Sequence, residues 1–473
     1  MGGGGGPGTR SVASHDEDAT TMGVEAARLA LRGATSAAPD ALWFSTTSPT
    51  YLDKTNATAI HAALGLASDV PAFDFGGALR SSTGALLSAL QGRATTLVVS
   101  ADLRDGLPTS GDESGGGDGA AALLVGGASD GRPVLAEYLG GASVTGEMVE
   151  RWRRPGERRS KVWEERFGET RYAALGREAW ERATKEVGIG ADEVGAVAVC
   201  GMAARAVRSV SGKLGVAKDA IADDLSRSVG QTGAAHPGLV LASMLESEAL
   251  ALAAGDRAPG RVLALVHLAD GADVLFFRTT EALAAWTPFR PVAAQIGAAS
   301  DVTYAKFLSW RGMLTPEPPR RPEPQRVSSP AAWRSEHWKF GFVGSRDRSS
   351  GAVHLPPSRI SMKGGALDEM DPAPMADVPG KVVTYTVDRL AYSPSPPVVF
   401  AVVDFEGGGR FPLELTDVDA EALAIGDEIE MTFRRLYSAD DIHDYFWKGR
   451  PVPSIAPDEG SSGTGGAPGE RSQ

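Results

Sequence analysis

The sequence is poor in cysteine and has no long apolar run. Among 473 residues the one cysteine is Cys200, so no disulfide can form within the chain, as is usual for proteins of a reducing compartment. No stretch approaches the roughly 20 apolar residues that span a bilayer. The first residues, MGGGGGPGTRSV, lack the apolar segment of a signal peptide. We therefore expect a cytoplasmic protein without membrane contact.

Acidic residues outnumber basic ones, 60 to 47. The formal net charge is −13, which disfavours general nucleic-acid binding because phosphate contacts supply most of that affinity. We expect no nucleic-acid partner.

Apolar strand patterns alternate with helical patterns through the first 285 residues. The patterns predict helices at 17–32, 55–66, 78–91, 171–187 and 203–214, and strands at 41–48, 71–75, 95–102, 120–127 and 194–201. A polar turn then leads into a long helix within 228–252, and 261–278 is typical of a hairpin. This alternation predicts an α/β layered fold built from two strand–helix halves.

The remaining sequence changes character. Residues 286–335 form a Pro-rich linker, for which we expect a stiff, extended chain. Within 381–436, four or five short strand patterns separated by Gly, Pro and Asp predict a small barrel such as an OB-fold. The Gly-rich ends, 1–8 and 453–473, are predicted to be disordered.

The stretch AFDFGGALRSSTGALLSAL (72–90) is typical of a buried strand that turns sharply into a helix. Such a junction often carries a catalytic nucleophile. No cysteine stands here, and the two candidate hydroxyls, Ser81 and Ser82, come late in the turn. The stretch is therefore either an active site or the remnant of one.

Several motifs together resemble the thiolase superfamily, in its HMG-CoA synthase and ketoacyl synthase III branch. They are RSVASHDEDATTM (10–22), TTSPTYLDKTNATAIHAALGL (46–66), the stretch 72–90, GGGDGAAALLVGG (115–127), SVGQTGAAHPGLVLASMLE (228–246) and HLADGADVLFF (267–277). The resemblance covers about residues 9–285. Residues 336–452 are similar to the OB-fold domain that accompanies acyl-CoA thiolases, where a zinc ribbon precedes the barrel.

The resemblance implies a Cys nucleophile, an activating His and a proton-shuttling Glu. In this sequence those three positions fall on Leu79, Cys200 and Thr47, so no intact catalytic set is predicted. Ser81 is an alternative nucleophile or a small structural residue. Cys200 ends an apolar strand and is either a buried structural residue or part of the pocket wall.

The resemblance also suggests where a coenzyme A thioester would bind. Ser81 and Arg80 flank the nucleophile position, and RWRRPGERRSKVW (151–163) supplies Arg151 and Arg154 as partners for phosphates. The other interpretation of this basic stretch is a solvated surface or a subunit contact.

The zinc ribbon lacks its ligands. A closed zinc site of this kind uses four thiolates, whereas the corresponding positions here are Asp347, Ser350, Ser361 and Gly364. We predict no zinc and no tightly bound cofactor.

Three hypotheses follow. The first is a non-catalytic subunit, homo- or hetero-oligomeric, that supplies scaffold and acyl-CoA channel to a separate thiolase. The second is an active acyltransferase of this class with an unforeseen nucleophile, and the third is nucleic-acid binding through the barrel, where aromatics are few.

Family members also begin with a further strand ahead of RSVASHDEDA. We expect a misplaced start, because a missing central strand would leave backbone groups unpaired.

Overall fold

The computed structural model describes residues 8–32, 38–127, 132–315, 317–320 and 322–452. The expected disorder of residues 1–7 and 453–473 lies outside these ranges. Within them, no helix is both long and apolar enough to cross a membrane.

The first half alternates helices and strands as the sequence predicts. Its elements are α1 (Ala19–Arg32), β1 (Ala41–Ser45), α2 (Ala57–Ala63), β2 (Ala72–Asp74), α3 (Ser81–Gln91), β3 (Thr96–Asp102), α4 (Gly111–Gly115) and β4 (Gly119–Val125). The sheet order is β2-β1-β3-β4. β1 is parallel to both of its neighbours, and β4 is antiparallel to β3.

The centre of this sheet has no unpaired row of backbone groups. All five residues of β1 pair with β3, from Ala41 opposite Thr96 to Ser45 opposite Ser100. The two central strands of this sheet therefore pair directly with each other. The open edges of the sheet are those of β2 and β4.

The second half repeats the layered plan with longer connections. Its elements are β5 (Ala136–Thr145), β6 (Arg151–Trp152), β7 (Lys161–Val162), α5 (Glu165–Val187), β8 (Val194–Gly201), α6 (Ala204–Ser211), α7 (His236–Ala253), β9 (Val262–Leu268) and β10 (Gly271–Thr279). The sheet order is β5-β10-β9-β8. Residues of α3 and α7 pack together with residues of both sheets in one apolar cluster.

The predicted linker contains helices, unlike the extended chain that its prolines suggested. Residues 281–339 hold α8 (Glu281–Ala285), α9 (Val292–Gly297), α10 (Tyr304–Trp310), α11 (Ser329–Arg334) and α12 (Glu336–Lys339). Two prolines stand at helix starts, since Pro291 precedes α9 and Pro330 lies in the first turn of α11. Proline is tolerated there because the first helical N–H groups have no partner within the helix.

The C-terminal region begins with a small sheet and ends in a closed barrel. β11 (Val343–Asp347), β12 (Val353–His354) and β13 (Met370–Pro374) form the sheet, in the order β12-β11-β13. The barrel order is β14-β15-β16-β18-β17, built from β14 (Gly380–Asp388), β15 (Val398–Phe405), β16 (Arg410–Leu415), β17 (Glu428–Ala439) and β18 (Ile442–Pro451). Five strands that pair mostly in antiparallel fashion and close in this order form an OB-type barrel.

The barrel packs on the first half through a shared core. Phe44 and Ile60 belong to the same apolar cluster as Phe433 and Trp447 of the barrel. Salt bridges rim this core, including Arg450 to Glu25 at 2.7 Å. The barrel is therefore docked on α1 and α2.

Candidate functional site

The nucleophile-type turn is present, but its strand is not buried. β2 lies at the sheet edge, and Phe73 is 56% exposed. The prediction of a buried strand was wrong because β2 pairs with β1 alone among the described strands. Gly76 has a φ of +43°, and a Cβ placed there would lie 2.6 Å from Ser81 Oγ. Glycine is therefore required at this turn.

The polar side chains that follow the turn form hydrogen bonds and an ion pair within the protein. Ser81 Oγ accepts a hydrogen bond from the Ala78 N–H at 3.3 Å. Arg80 donates through Nε and Nη2 to the two carboxylate oxygens of Asp273, at 2.8 and 2.9 Å. Leu79 is half-buried just before α3. The guanidinium that we predicted to contact substrate is thus already engaged in a bidentate ion pair.

A row of polar side chains crosses the second sheet beneath α3. Cys200 of β8 stands opposite His267 of β9, which stands opposite Asp273 of β10. Directly opposed residues present their side chains to the same face of a sheet. Thr83 of α3 lies above the row, with its Oγ1 hydroxyl 2.8 Å from His267 Nδ1. The helix that carries the nucleophile position is thereby tied to the sheet that carries Cys200.

The protonation states of this row are set by burial. Burial lowers the pKa of His267 to about 4, against a smaller raising effect of Asp273, so the imidazole is neutral near pH 7. Cys200 is fully buried, and burial raises the pKa of its thiol far above the ordinary value. Cysteine reacts as the thiolate, and burial disfavours that form of Cys200.

Thr47 is held in a polar network around Asp102. The backbone N–H and the hydroxyl of Thr47 donate to the Asp102 carboxylate at 2.6 and 2.8 Å. Arg104 Nη1 donates to Thr47 Oγ1 at 2.9 Å, and Arg153 Nη2 donates to the Thr47 carbonyl at 2.7 Å. Asp102 is fully buried and also accepts from the Ala234 N–H at 2.7 Å. Thr47, which the resemblance assigns to the family glutamate position, therefore has a hydroxyl that both donates and accepts hydrogen bonds.

The basic hairpin β6–β7 covers this network. Arg151 Nη2 donates to Asp112 at 2.8 Å, while its Nε and Nη1 atoms are buried without a hydrogen-bond partner among the described residues. Arg104 is 6% exposed, and its Nε is also buried without a hydrogen-bond partner among the described residues. Arg154 is exposed at the turn. Unpaired buried guanidinium N–H groups beside an exposed arginine are suited to an anionic group.

The four ribbon positions come together around one carboxylate. Asp347 is 1% exposed and accepts from the Ser350 hydroxyl at 2.5 Å. Hydrogen bonds from the hydroxyls of Ser350 and Ser361 lower the pKa of the Asp347 carboxyl. A Cβ placed on Gly364 would lie 3.4 Å from Asp347 Oδ2. The ribbon-like loop is therefore closed by hydrogen bonds.

This donor set does not fit structural zinc. One carboxylate, two hydroxyls and a glycine replace the thiolates or imidazoles that such a site uses. Within the ranges that the structure describes, no group of three or more His, Cys, Asp or Glu side chains could hold a metal ion.

Sequence reasoning missed Asp102, Arg104, Thr83 and His267. A signal existed for two of them, since Asp102 ends the apolar run TTLVVSAD and His267 interrupts VLALVHL. A polar residue in a buried strand requires partners, and those partners lie far away in sequence.

Comparisons with known proteins agree with the two-part fold. Residues 374–434 match the family model described as the ChsH2 C-terminal OB-fold domain. A DUF35 domain-containing scaffold protein of Methanocaldococcus jannaschii is 28% identical over 126 residues, which cover 26% of this chain and 89% of that protein.

The chain also matches a different group of proteins. A hydroxymethylglutaryl-CoA synthase of Thermococcus sibiricus is 37% identical over 155 residues, 31% of this chain and 44% of the synthase. The chain thus spans less than half the length of these synthases. A solved structure of MvaS in complex with 3-hydroxy-3-methylglutaryl coenzyme A aligns with a TM-score of 0.50 at 19% identity, over 67% of this chain and 84% of that one. This last likeness concerns the fold alone.

The chain has a thiolase-like α/β fold followed by a C-terminal OB-fold domain. The predicted fold class is confirmed. In the thiolase-like part, the nucleophile, histidine and glutamate positions expected from the resemblance hold Leu79, Cys200 and Thr47.

Proposed function

We propose that the chain is a non-catalytic subunit of an acyl-CoA thiolase assembly. A separate thiolase with its own cysteine performs the carbon–carbon chemistry, and this chain supplies scaffold and part of the acyl-CoA channel. One observation carries the proposal: the three positions that the resemblance assigns to catalytic residues hold a leucine, a buried thiol of raised pKa and a hydrogen-bonded threonine.

The C-terminal domain supports a bridging role. Relatives of this domain are named as scaffold proteins, and here the domain is docked on the thiolase-like part by a shared core and salt bridges. A fused chain keeps the two parts in a fixed relation, so a partner that contacts both surfaces meets a rigid platform.

The basic hairpin is the proposed contact for coenzyme A. Arg151 and Arg104 offer unpaired buried N–H groups, and Arg154 is exposed in the same hairpin as Arg151. Phosphate groups pair well with guanidinium groups, so the nucleotide end of the thioester lies here. The acyl end points to the partner's cysteine.

Affinity capture from the native host tests the accessory role. The tagged chain is expected to retain a thiolase identified by mass spectrometry, and acyl-CoA turnover is expected only when both proteins are present. A control capture uses Arg154→Glu, which should weaken coenzyme A binding but leave the thiolase bound. Isolation of the chain as a lone, fully stable homodimer with no thiolase contradicts the proposal.

A second candidate rests on the Thr83–His267 contact of 2.8 Å. In an active acyltransferase, the Thr83 hydroxyl would attack the thioester carbonyl while His267 Nδ1 takes the hydroxyl proton. The acyl–sulfur bond would break, and the thiolate would leave with that proton as free coenzyme A. After incubation with acetyl-CoA, intact-mass measurement would then show one acetyl group on the wild type and none on Thr83→Val.

A further inference from the structure

Two arginines from different elements bind the same residue, Thr47. Arg104 follows β3 and donates from Nη1 to the Thr47 hydroxyl at 2.9 Å. Arg153 follows β6 and donates from Nη2 to the Thr47 carbonyl at 2.7 Å. Arg104 is buried and Arg153 is half-buried. The fold therefore brings two positive charges close together in a place that is largely shielded from water.

Neither arginine is closely paired with a carboxylate among the described residues. Arg104 Nη1 lies 3.9 Å from Asp102, whose carboxylate already accepts from two hydroxyls and two backbone N–H groups at 2.6 to 2.9 Å. Arg153 forms no salt bridge within the described part of the chain. The neighbouring carboxylates Asp105 and Asp118 pair with a different arginine. Burying a charge without a close partner is costly.

A third guanidinium group belongs to the same corner of the protein. Arg151 donates to Asp112 at 2.8 Å. A Cβ placed on Gly116 would lie 2.6 Å from the Asp112 carbonyl oxygen and 3.0 Å from Arg104 Cβ, so Asp112 and Arg104 are close neighbours. Arg151 Nε and Nη1 and Arg104 Nε are buried without a hydrogen-bond partner among the described residues. These N–H groups can therefore donate to one further acceptor.

The three arginines share only two carboxylates. Their salt-bridge partners in the described ranges are Asp102 and Asp112. Burial lowers the pKa of Arg104, Asp102 opposes this effect, and the charges of Arg153 and Arg151 lower the pKa further. A bound oxyanion would offset this repulsion and accept from the N–H groups that lack a partner, and guanidinium groups are well shaped for both carboxylate and phosphate.

We propose that Arg104 and Arg153 bind one small oxyanion, of the carboxylate or phosphate class, beside Thr47. The buried N–H groups of Arg151 complete its set of donors. The site lies beneath the hairpin β6–β7, and the bound anion ties this hairpin to the loop that follows β1. The inference rests on the proposed function only for the source of the oxyanion, which is either a phosphate group of coenzyme A or a separate small anion.

Sulfate is the probe for binding. Isothermal titration at fixed ionic strength should show one saturable sulfate site on the wild-type chain. Arg153→Met should weaken sulfate binding about tenfold or more, because a charge-assisted hydrogen bond is lost. Arg159→Met is the matched control, since it makes the same charge change at an exposed residue of the same hairpin, and it should bind sulfate as the wild type does. Thermal unfolding of each variant confirms that it is folded.

Hydrogen exchange locates the site. The strands of the hairpin are only two residues long, so its protection depends on the side chains that fasten it, as in other weakly held segments. Sulfate should reduce deuterium uptake by residues 150–163 in the wild type and in Arg159→Met. It should leave the uptake unchanged in Arg153→Met, where the anion loses a donor from the hairpin.

Competition identifies the source of the oxyanion. Displacement of sulfate by free coenzyme A but not by acetate would support a phosphate group of the thioester, and displacement by acetate but not by coenzyme A would support a separate carboxylate. Absence of saturable sulfate binding, equal affinity in Arg153→Met and Arg159→Met, or unchanged exchange of residues 150–163 in the wild type would overturn the proposal. Each measurement uses this chain alone, so failure to find a thiolase partner does not affect the outcome.

Discussion

Arg434 of β17 and Asp16 form an ion pair of 3.0 Å that joins the barrel to the thiolase-like part, and the two side chains are 1% and 2% exposed. Lys448 Nζ lies 3.0 Å from the other Asp16 oxygen. Arg434 and Lys448 hold the pKa of Asp16 well below its usual range, although burial opposes them. The interface therefore depends on a buried charge cluster with its partners in place.

Removing one partner from this cluster should be strongly destabilising. Arg434→Met leaves the Asp16 carboxylate short of a counter-charge, which typically costs about 3–5 kcal/mol. Urea unfolding followed by tryptophan emission measures the loss. The control is Arg389→Met, whose pair with Glu421 is 62% and 77% exposed and whose loss should cost no more than about 1 kcal/mol. Similar losses in both variants would show that the cluster does not hold the interface.

The Asp102 network makes a prediction about Gly233. This residue has a φ of +58°, and a Cβ placed on it would overlap Asp102 Oδ2. Gly233→Ala should therefore cost about 2 kcal/mol or more, from backbone strain plus displacement of the carboxylate. Gly255→Ala is matched for strain, with a φ of +78° and no atom within 4 Å, so it should cost about 1 kcal/mol. Equal costs would mean that the Asp102 network yields to the extra methyl group.

The layered fold could be predicted from the sequence because each buried strand is a short apolar run. Strand 194–201 was predicted with its observed bounds, and strand 95–102 differs from β3 by one residue. The direct pairing of β1 with β3 could not be predicted. Which strands become neighbours depends on long-range contacts that no local pattern records.

For the candidate site, the sequence predicted which positions to examine but not the contacts that their side chains make. The resemblance assigned Thr47, Leu79 and Cys200 to the site. Asp102, which accepts from Thr47, and His267, which stands opposite Cys200 in the sheet, lie 55 and 67 residues away from them in sequence. The helices of the linker were missed because prolines at helix starts resemble prolines of an extended chain.

The two buried histidines should make stability rise with pH. Burial lowers the pKa values of His236 and His267 to about 4, below the ordinary value of 6.5. The unfolded chain therefore binds protons that the folded chain excludes between about pH 4 and 6.5. Each histidine contributes at most about 1.4 kcal/mol per pH unit across this window, lost as pH falls.

The variant His267→Asn tests this dependence. It removes one titrating group and can keep an acceptor for the Thr83 hydroxyl, so the slope of unfolding free energy against pH should fall by about one proton. Thr83→Val is the control, because it breaks the same hydrogen bond but leaves the imidazole. An unchanged slope in His267→Asn would show that the imidazole is solvated in the folded chain.

The single thiol should be inert until the chain unfolds. Cys200 is fully buried and its pKa is raised by burial. Iodoacetamide at pH 8 should leave the native protein unmodified, and one alkyl group should appear after denaturation in urea. Rapid labelling of the native protein would mean that the thiol faces an accessible pocket, which would weaken the non-catalytic proposal.

The loop closed around Asp347 should accept zinc once thiolates are restored. The four positions already converge, since the Ser350 hydroxyl lies 2.5 Å from Asp347 Oδ2 and a Cβ on Gly364 would lie 3.4 Å from the same atom. The quadruple variant Asp347→Cys, Ser350→Cys, Ser361→Cys and Gly364→Cys should bind one zinc ion per chain, because four thiolates at these positions supply a tetrahedral site.

Elemental analysis after dialysis measures the zinc, and cobalt substitution should give the visible absorption of tetrahedral thiolate ligation. The matched control moves the fourth cysteine from position 364 to Gly351, outside the converging set, and should bind the ion far more weakly. The single variant Asp347→Ala removes the acceptor of several hydroxyl groups and should destabilise the loop, because a hydrogen bond to a charged group contributes about 1.5–3 kcal/mol. Zinc bound equally by both cysteine variants would mean that the loop adapts to the metal and that the four positions are not arranged for it in advance.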